Sequence, residues 1–239
     1  MKIKIMILIL AALSIVGSRG WADEPGNRKK ELVETINRLQ SNGSEEDSYM
    51  DHPGWHNPTN LLALNKFILA HTNTDEGLVA EVWLSMVATE GERRMGFSNR
   101  RIAIAGRIAR LNEISRMATN NGTAKCALLT RCMLLFEERD WPAFEAEATN
   151  ILSKIDSFEA EKDDQFLYLL KANDTSTSEI NPMLLYMLMV ASCNEGNFQS
   201  ALQKATQLKE AFPEYSKRNN IENAIDFLKK GKSPYQLLN

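Results

Sequence analysis

The chain has 239 residues, 44% hydrophobic and 25% charged, with a formal charge of −3 at neutral pH. That length can bury a core in one or two domains, and an acidic balance argues against nucleic acid as the main partner, because phosphate binding needs a basic footprint. Three cysteines, Cys126, Cys132 and Cys193, are too few and odd in number to form a disulfide framework.

The first element is "MKIKIMILILAALSIVGSRGWADEPG", in which Lys2 and Lys4 precede an uncharged apolar run from Ile5 to Gly17, then small residues and two acids. This order is expected of a secretory signal peptide. The run is shorter than the roughly 20 residues a membrane-crossing helix needs. Residues 1–22 are therefore expected to be removed after Ala22, leaving 23–239 as one exported domain, periplasmic or secreted, with no membrane span. Removal takes away Lys2, Lys4 and Arg19 and no acid, so the charge moves from −3 to −6.

Apolar spacing of three and four predicts helices at 27–41, 58–71, 75–90, 98–119, 124–138, 141–155, 159–171, 182–195, 198–211 and 217–230, and after residue 26 no sustained alternation of period two is found. Thr74, Ser98 and Thr123 read as helix starts, Asn181 precedes a first-turn Pro182, and Gly231 closes the last helix. A long segment at 41–59, carrying Tyr49, Met50 and Trp55, reads as a loop. Cys126 and Cys132 fall in one helix about 9 Å apart along its axis, too far for a bridge. Cys193 could pair with either, but buried thiols acting as small apolar residues are the simpler expectation. The fold class expected is all-α.

The helix starting at Phe198 buries one face, with Ala201, Leu202, Ala205 and Leu208, whereas "MLLYMLMVA" before it is apolar on every side and needs cover on more than one. Together, "MLLYMLMVASCNEGNFQSALQKATQLKEAFP" resembles one tetratricopeptide repeat. Gly196 and Phe198 stand at the hairpin turn, Ala201 at the small-residue crossing and Pro213 at the stop, with Met189 where that family has a smaller residue. Residues 127–152, with Asp140 and Trp141 at the turn, are a weaker unit in which Arg139 replaces the glycine and Phe144 the small residue. Residues 65–90 and 208–228 echo the junction between units. The resemblance implies a right-handed solenoid of antiparallel hairpins closed by a C-terminal capping helix, a non-catalytic scaffold for a protein or peptide partner. It also implies a groove lined by the first helix of each hairpin, here Met183, Tyr186, Met187, Val190 and Asn194, with Leu129, Met133 and Phe136 in the weaker unit.

Charge offers a second candidate. Arg93, Arg94, Arg100, Arg101, Arg107, Arg110 and Arg116 share their stretch with a single acid, Glu113. Arg100, Arg107 and Arg110 fall near one helical face, where guanidinium forks suit an anionic envelope component. The competing expectation is neutralisation within the fold by "SEED" at 44–47 and "EAEKDD" at 159–164. No catalytic motif, metal set or cofactor loop stands out: Pro53 and Gly54 separate His52 from His56, and His71 lies at a helix end. A peptidoglycan- or carbohydrate-directed enzyme, or its helical accessory part, is the alternative from another class. Asn42, Asn121 and Asn173 match the N-glycosylation pattern, in residues equally common in turns.

Overall fold

In the computed structural model, backbone is described for residues 25–40, 58–92 and 97–234 and side-chain burial for 26–40, 59–87 and 103–234; the signal segment, the 41–57 stretch, His52, His56 and Asn42 lie outside the described residues. Every regular element among them is helical: α1 (Pro25–Gln40), α2 (Pro58–Ala70), α3 (Asp75–Glu92), α4 (Phe97–Met117), α5 (Asn121–Glu137), α6 (Trp141–Leu152), α7 (Ile155–Glu159), α8 (Asp164–Ala172), a 3-10 turn (Thr177–Glu179), α9 (Ile180–Asn194), α10 (Phe198–Ala211), α11 (Pro213–Arg218) and α12 (Ile221–Lys229). The all-α expectation is met. None of the described helices is long and apolar enough to cross a membrane.

The helices pack mainly on their chain neighbours. α1 and α2 lie against each other and on α3, while α5 is central, meeting α3, α4, α6 and α8. The stripes follow the helical period: Leu32, Ile36 and Leu39 on α1, then Leu111 and Ile114 on α4, then Phe144, Ala148 and Ile151 on α6 all enter one core. A second core joins Leu185, Met189 and Cys193 of α9 to Ala201, Ala205 and Leu208 of α10 and to Ile221, Ile225 and Leu228 of α12. Leu152 packs against both cores, and α9 rests on α6 and α7.

Polar side chains tie three helix starts together. The Asp75 carboxylate, at the head of α3, accepts from the backbone N–H of Thr119 at 3.0 Å and of Asn120 at 3.1 Å. Asn120 in turn caps α5 through the Thr123 N–H at 2.9 Å and donates to Asp163, which caps α8 through the Gln165 N–H at 2.9 Å. This explains why α5 begins at Asn121, ahead of the start expected at Thr123: the cap is Asn120. Gly122 is required in that knot, since a Cβ there would sit 2.6 Å from the Asp163 Cβ.

Two expected helices differ from their bounds. The one expected at 159–171 begins only at Asp164: α7 ends at Glu159, whose carbonyl accepts from Lys162 at 3.0 Å, and Asp163 starts a new cap. Within 217–230 the chain breaks at Asn220, which adopts a left-handed φ of 53° between α11 and α12. The stripe of Ile221, Ala224, Ile225 and Leu228 is buried as its spacing implied.

The hairpin joining α9 to α10 turns at Gly196, φ 75°. Three backbone N–H groups close it: Glu195 to Ala191 O at 3.0 Å, Gly196 to Cys193 O at 3.1 Å and Asn197 to Ser192 O at 2.8 Å, after which Asn197 caps the Ser200 N–H at 3.1 Å. This arrangement satisfies the last carbonyls of one helix and the first amides of the next. The α5–α6 hairpin repeats it with Arg139 at φ 60°: Glu138 donates to Leu134 O at 3.0 Å, Arg139 to Phe136 O at 3.0 Å and Asp140 to Leu135 O at 3.1 Å, and Asp140 caps Ala143 at 3.4 Å.

Candidate functional site

The helix that is apolar on every side, α9, is covered on every side but one. Leu184, Leu188 and Ala191 enter the first core, Leu185, Met189 and Cys193 the second. Met183, Tyr186, Met187 and Val190 are half-buried and Asn194 exposed, at the three- and four-residue spacing of a single row. Met183 and Met187 lean on the first core, Tyr186 and Val190 on the second, so the row follows the seam between them. The five groove residues expected from the sequence are thus brought together on one partly open face. Asn194 spends its amide on the Val190 carbonyl at 2.9 Å, and Met183 receives the Thr175 hydroxyl at 3.9 Å.

The weaker unit contributes less. Leu129 is fully buried in the core. Met133 and Phe136 are half-buried, and the Phe136 ring is held edge-on by Trp141 at 5.5 Å and Phe144 at 5.1 Å.

At the start of α9 the row runs into an open cavity of about 400 Å³ between that helix and α11, lined in part by Pro182, Phe212, Tyr215, Glu179 and Arg218. Tyr215 packs edge-on against Tyr186 at 6.4 Å. Burial, with Tyr186 nearby, pushes the Tyr215 hydroxyl up to about 12, and Arg218 with the Ser176 N–H holds the Glu179 carboxyl below its ordinary value. The sequence did not single out these residues. "PEYSKR" offers a proline stop and a short polar turn, and only the fold sets it opposite Glu179.

The arginine helix is α4. Arg93 and Arg94 lie outside the described residues, as do the side chains of Arg100 and Arg101. Arg110 forks the Glu81 carboxylate of α3, with Nε to Oε2 at 2.7 Å and Nη2 to Oε1 at 3.0 Å, and reaches Glu113 at 2.9 Å. Both acids raise its pKa. Arg107 is half-buried and Arg116 exposed. The acids of 159–164 take other partners: Glu161 pairs with Lys125 at 3.2 Å and Asp164 with Lys29 at 2.9 Å.

Buried polar groups elsewhere join helices. Arg131 of α5 donates to Glu147 of α6 at 2.9 Å, and burial raises the Glu147 pKa against the pull of Arg131. Lys125 donates to the Ser157 carbonyl at 2.5 Å beneath the Phe158 ring. The three thiols are unbridged and buried; burial raises all of them, Cys193 to about 11. They lack the accessible, electropositive setting of a reactive thiol. The His71 ring packs on Phe67 at 4.5 Å, tilted by 53°, and lies 3.5 Å from Glu31. No protein-family model matches the chain, and no curated protein or solved structure matches it either.

Proposed function

We propose that this chain is an exported, non-catalytic helical scaffold of the tetratricopeptide type, built of stacked hairpins, which docks a protein or peptide partner along the half-covered row of α9. One observation carries the reading. The α5–α6 and α9–α10 hairpins close through the same three backbone hydrogen bonds and the same side-chain cap, at the constant offset that separates Arg139 from Gly196. These are the bonds of a left-handed helix C-cap followed by an N-cap, so both hairpins turn in one way, which supports a helix–turn–helix unit used twice. The row supports the docking site: unbranched methionines beside a tyrosine adapt to an apolar partner, and a contiguous half-exposed apolar strip on a soluble surface is usually a contact. Arg110 of the competing arginine face already has two carboxylates for partners.

The test is affinity isolation from detergent-extracted native envelopes on immobilised residues 23–239. A defined protein should be enriched, and joint Met183→Ser and Met187→Ser substitution should weaken its capture by roughly tenfold. Arg100 and Arg116→Gln, which spare the Arg110–Glu81 pair, should leave capture intact. Loss with the arginine variant alone would move the site to α4, and capture indifferent to both variants would sink the α9 reading.

A further inference from the structure

The cavity at the head of α9 is walled on one side by a guanidinium. Arg218, the last residue of α11, lies over the Tyr215 ring with its guanidinium carbon 5.3 Å from the centroid, and it donates to the Glu179 carboxylate. The second oxygen of Glu179 accepts from the Ser176 N–H at 3.2 Å, which fixes the carboxylate in place. A ring for the flat face and an oriented carboxylate for the fork are the two elements that recognise arginine.

The Arg218 guanidinium is held loosely. The Arg218 side chain is 62% exposed and its ion pair with Glu179 lies at the surface, where solvent weakens such pairs. Glu214 stands on the same rim, so with Arg218 swung away the cavity presents two carboxylates, Glu179 and Glu214, above apolar walls from Pro182, Phe212 and Tyr215. Those walls suit the aliphatic stem of a long basic side chain.

We infer that this cavity is an arginine seat: it takes an arginine side chain from a basic peptide segment of the partner, and in the free protein Arg218, on its wall, engages the Glu179 carboxylate and the Tyr215 ring as an intramolecular competitor. The inference deepens the reading of the α9 row as a docking face and rests on it, because Tyr215 joins the cavity to the row through Tyr186.

The experiment titrates Ac-Gly-Arg-Gly-NH2, its citrulline counterpart and Ac-Gly-Glu-Gly-NH2 into residues 23–239, followed by NMR shifts of the Glu179 and Tyr215 amides. The arginine peptide should perturb both amides and bind roughly two- to fivefold tighter to Arg218→Ala and to Arg218→Gln, since removing a weakly held competitor frees the seat. Glu179→Gln should weaken it, and the citrulline peptide should leave both amides unmoved. Unchanged affinity on removing Arg218, or preference for the glutamate peptide with loss in Arg218→Ala, overturns the proposal. Unaltered thermal unfolding of the Arg218 variants confirms that the change is local. Partner capture through the α9 row with a silent arginine peptide would defeat this inference alone; arginine-peptide binding without any partner capture would defeat the scaffold reading alone.

Discussion

Arg139 holds a backbone conformation that side chains normally avoid. Its φ of 60° is matched by Gly196 at 75° in the equivalent turn, and two of the three closing bonds recur at Asp174, φ 49°, and Gly231, φ 65°. An arginine there meets a Cβ–carbonyl crowding that a glycine does not. Arg139→Gly should therefore stabilise the protein by about 0.5 kcal/mol, the relief being partly offset by a freer unfolded chain. Gly196→Ala should cost about 1 kcal/mol. Urea denaturation of both variants checks the pair; shifts of the same sign would mean the two turns are not equivalent. The turns at Gly196 and Gly231 were legible because glycine advertises a left-handed residue. The turn at Arg139 was placed by its likeness to the Gly196 hairpin and the one at Asp174 was not; in neither does the residue type announce a left-handed φ, which tertiary packing imposes.

At the scale of elements, the two hairpins solve one crossing with opposite residues. Phe144 and Ala201 stand at the same register after their turns, and both are fully buried. The first pair of helices is built around a large ring, the second around a methyl group. Phe144→Ala should leave a cavity costing about 3–5 kcal/mol, whereas Ala201→Leu should overpack α9 on α10 at about 1–3 kcal/mol. Thermal unfolding distinguishes them from the mild effects expected at the exposed Ala146 or Gln203. Most helices could be read from periodicity alone, because each has one or more apolar faces and packs on its chain neighbours. The breaks at Lys162–Asp163 and at Asn220 escaped that reading, as they depend on side-chain caps and a left-handed asparagine and leave the apolar spacing nearly continuous.

On the scale of the whole molecule, two cores meet through α6, α7 and α9, and Leu152 belongs to both. Because that side chain is only half-buried, Leu152→Ala should cost about 1–2 kcal/mol, less than a full core truncation. The loss should also fall unevenly: amide exchange should speed up more in α9, α10 and α12 than in α5, since these last helices depend on the seam for their anchorage. Uniform acceleration would mean that the two cores open as one. Spacing in the chain cannot show which charges meet across that distance. Arg110 looked like part of an open basic face, yet Glu81 of another helix claims it. The α9 row was legible in its membership, since one helix carries it, but which of its sides stayed open depended on α6, α7 and α11 arriving around it.

The half-open position of Met183 and Met187 gives the row a chemical sensitivity the buried core lacks. Both residues are partly exposed, while Met189 on the same helix is fully enclosed. Conversion to the sulfoxide would put a polar, chiral oxygen on the strip without cutting a helix or opening a core, and sulfoxide reductases can reverse it. The apolar character of this face is therefore adjustable by redox chemistry, independently of whether the fold around it stands.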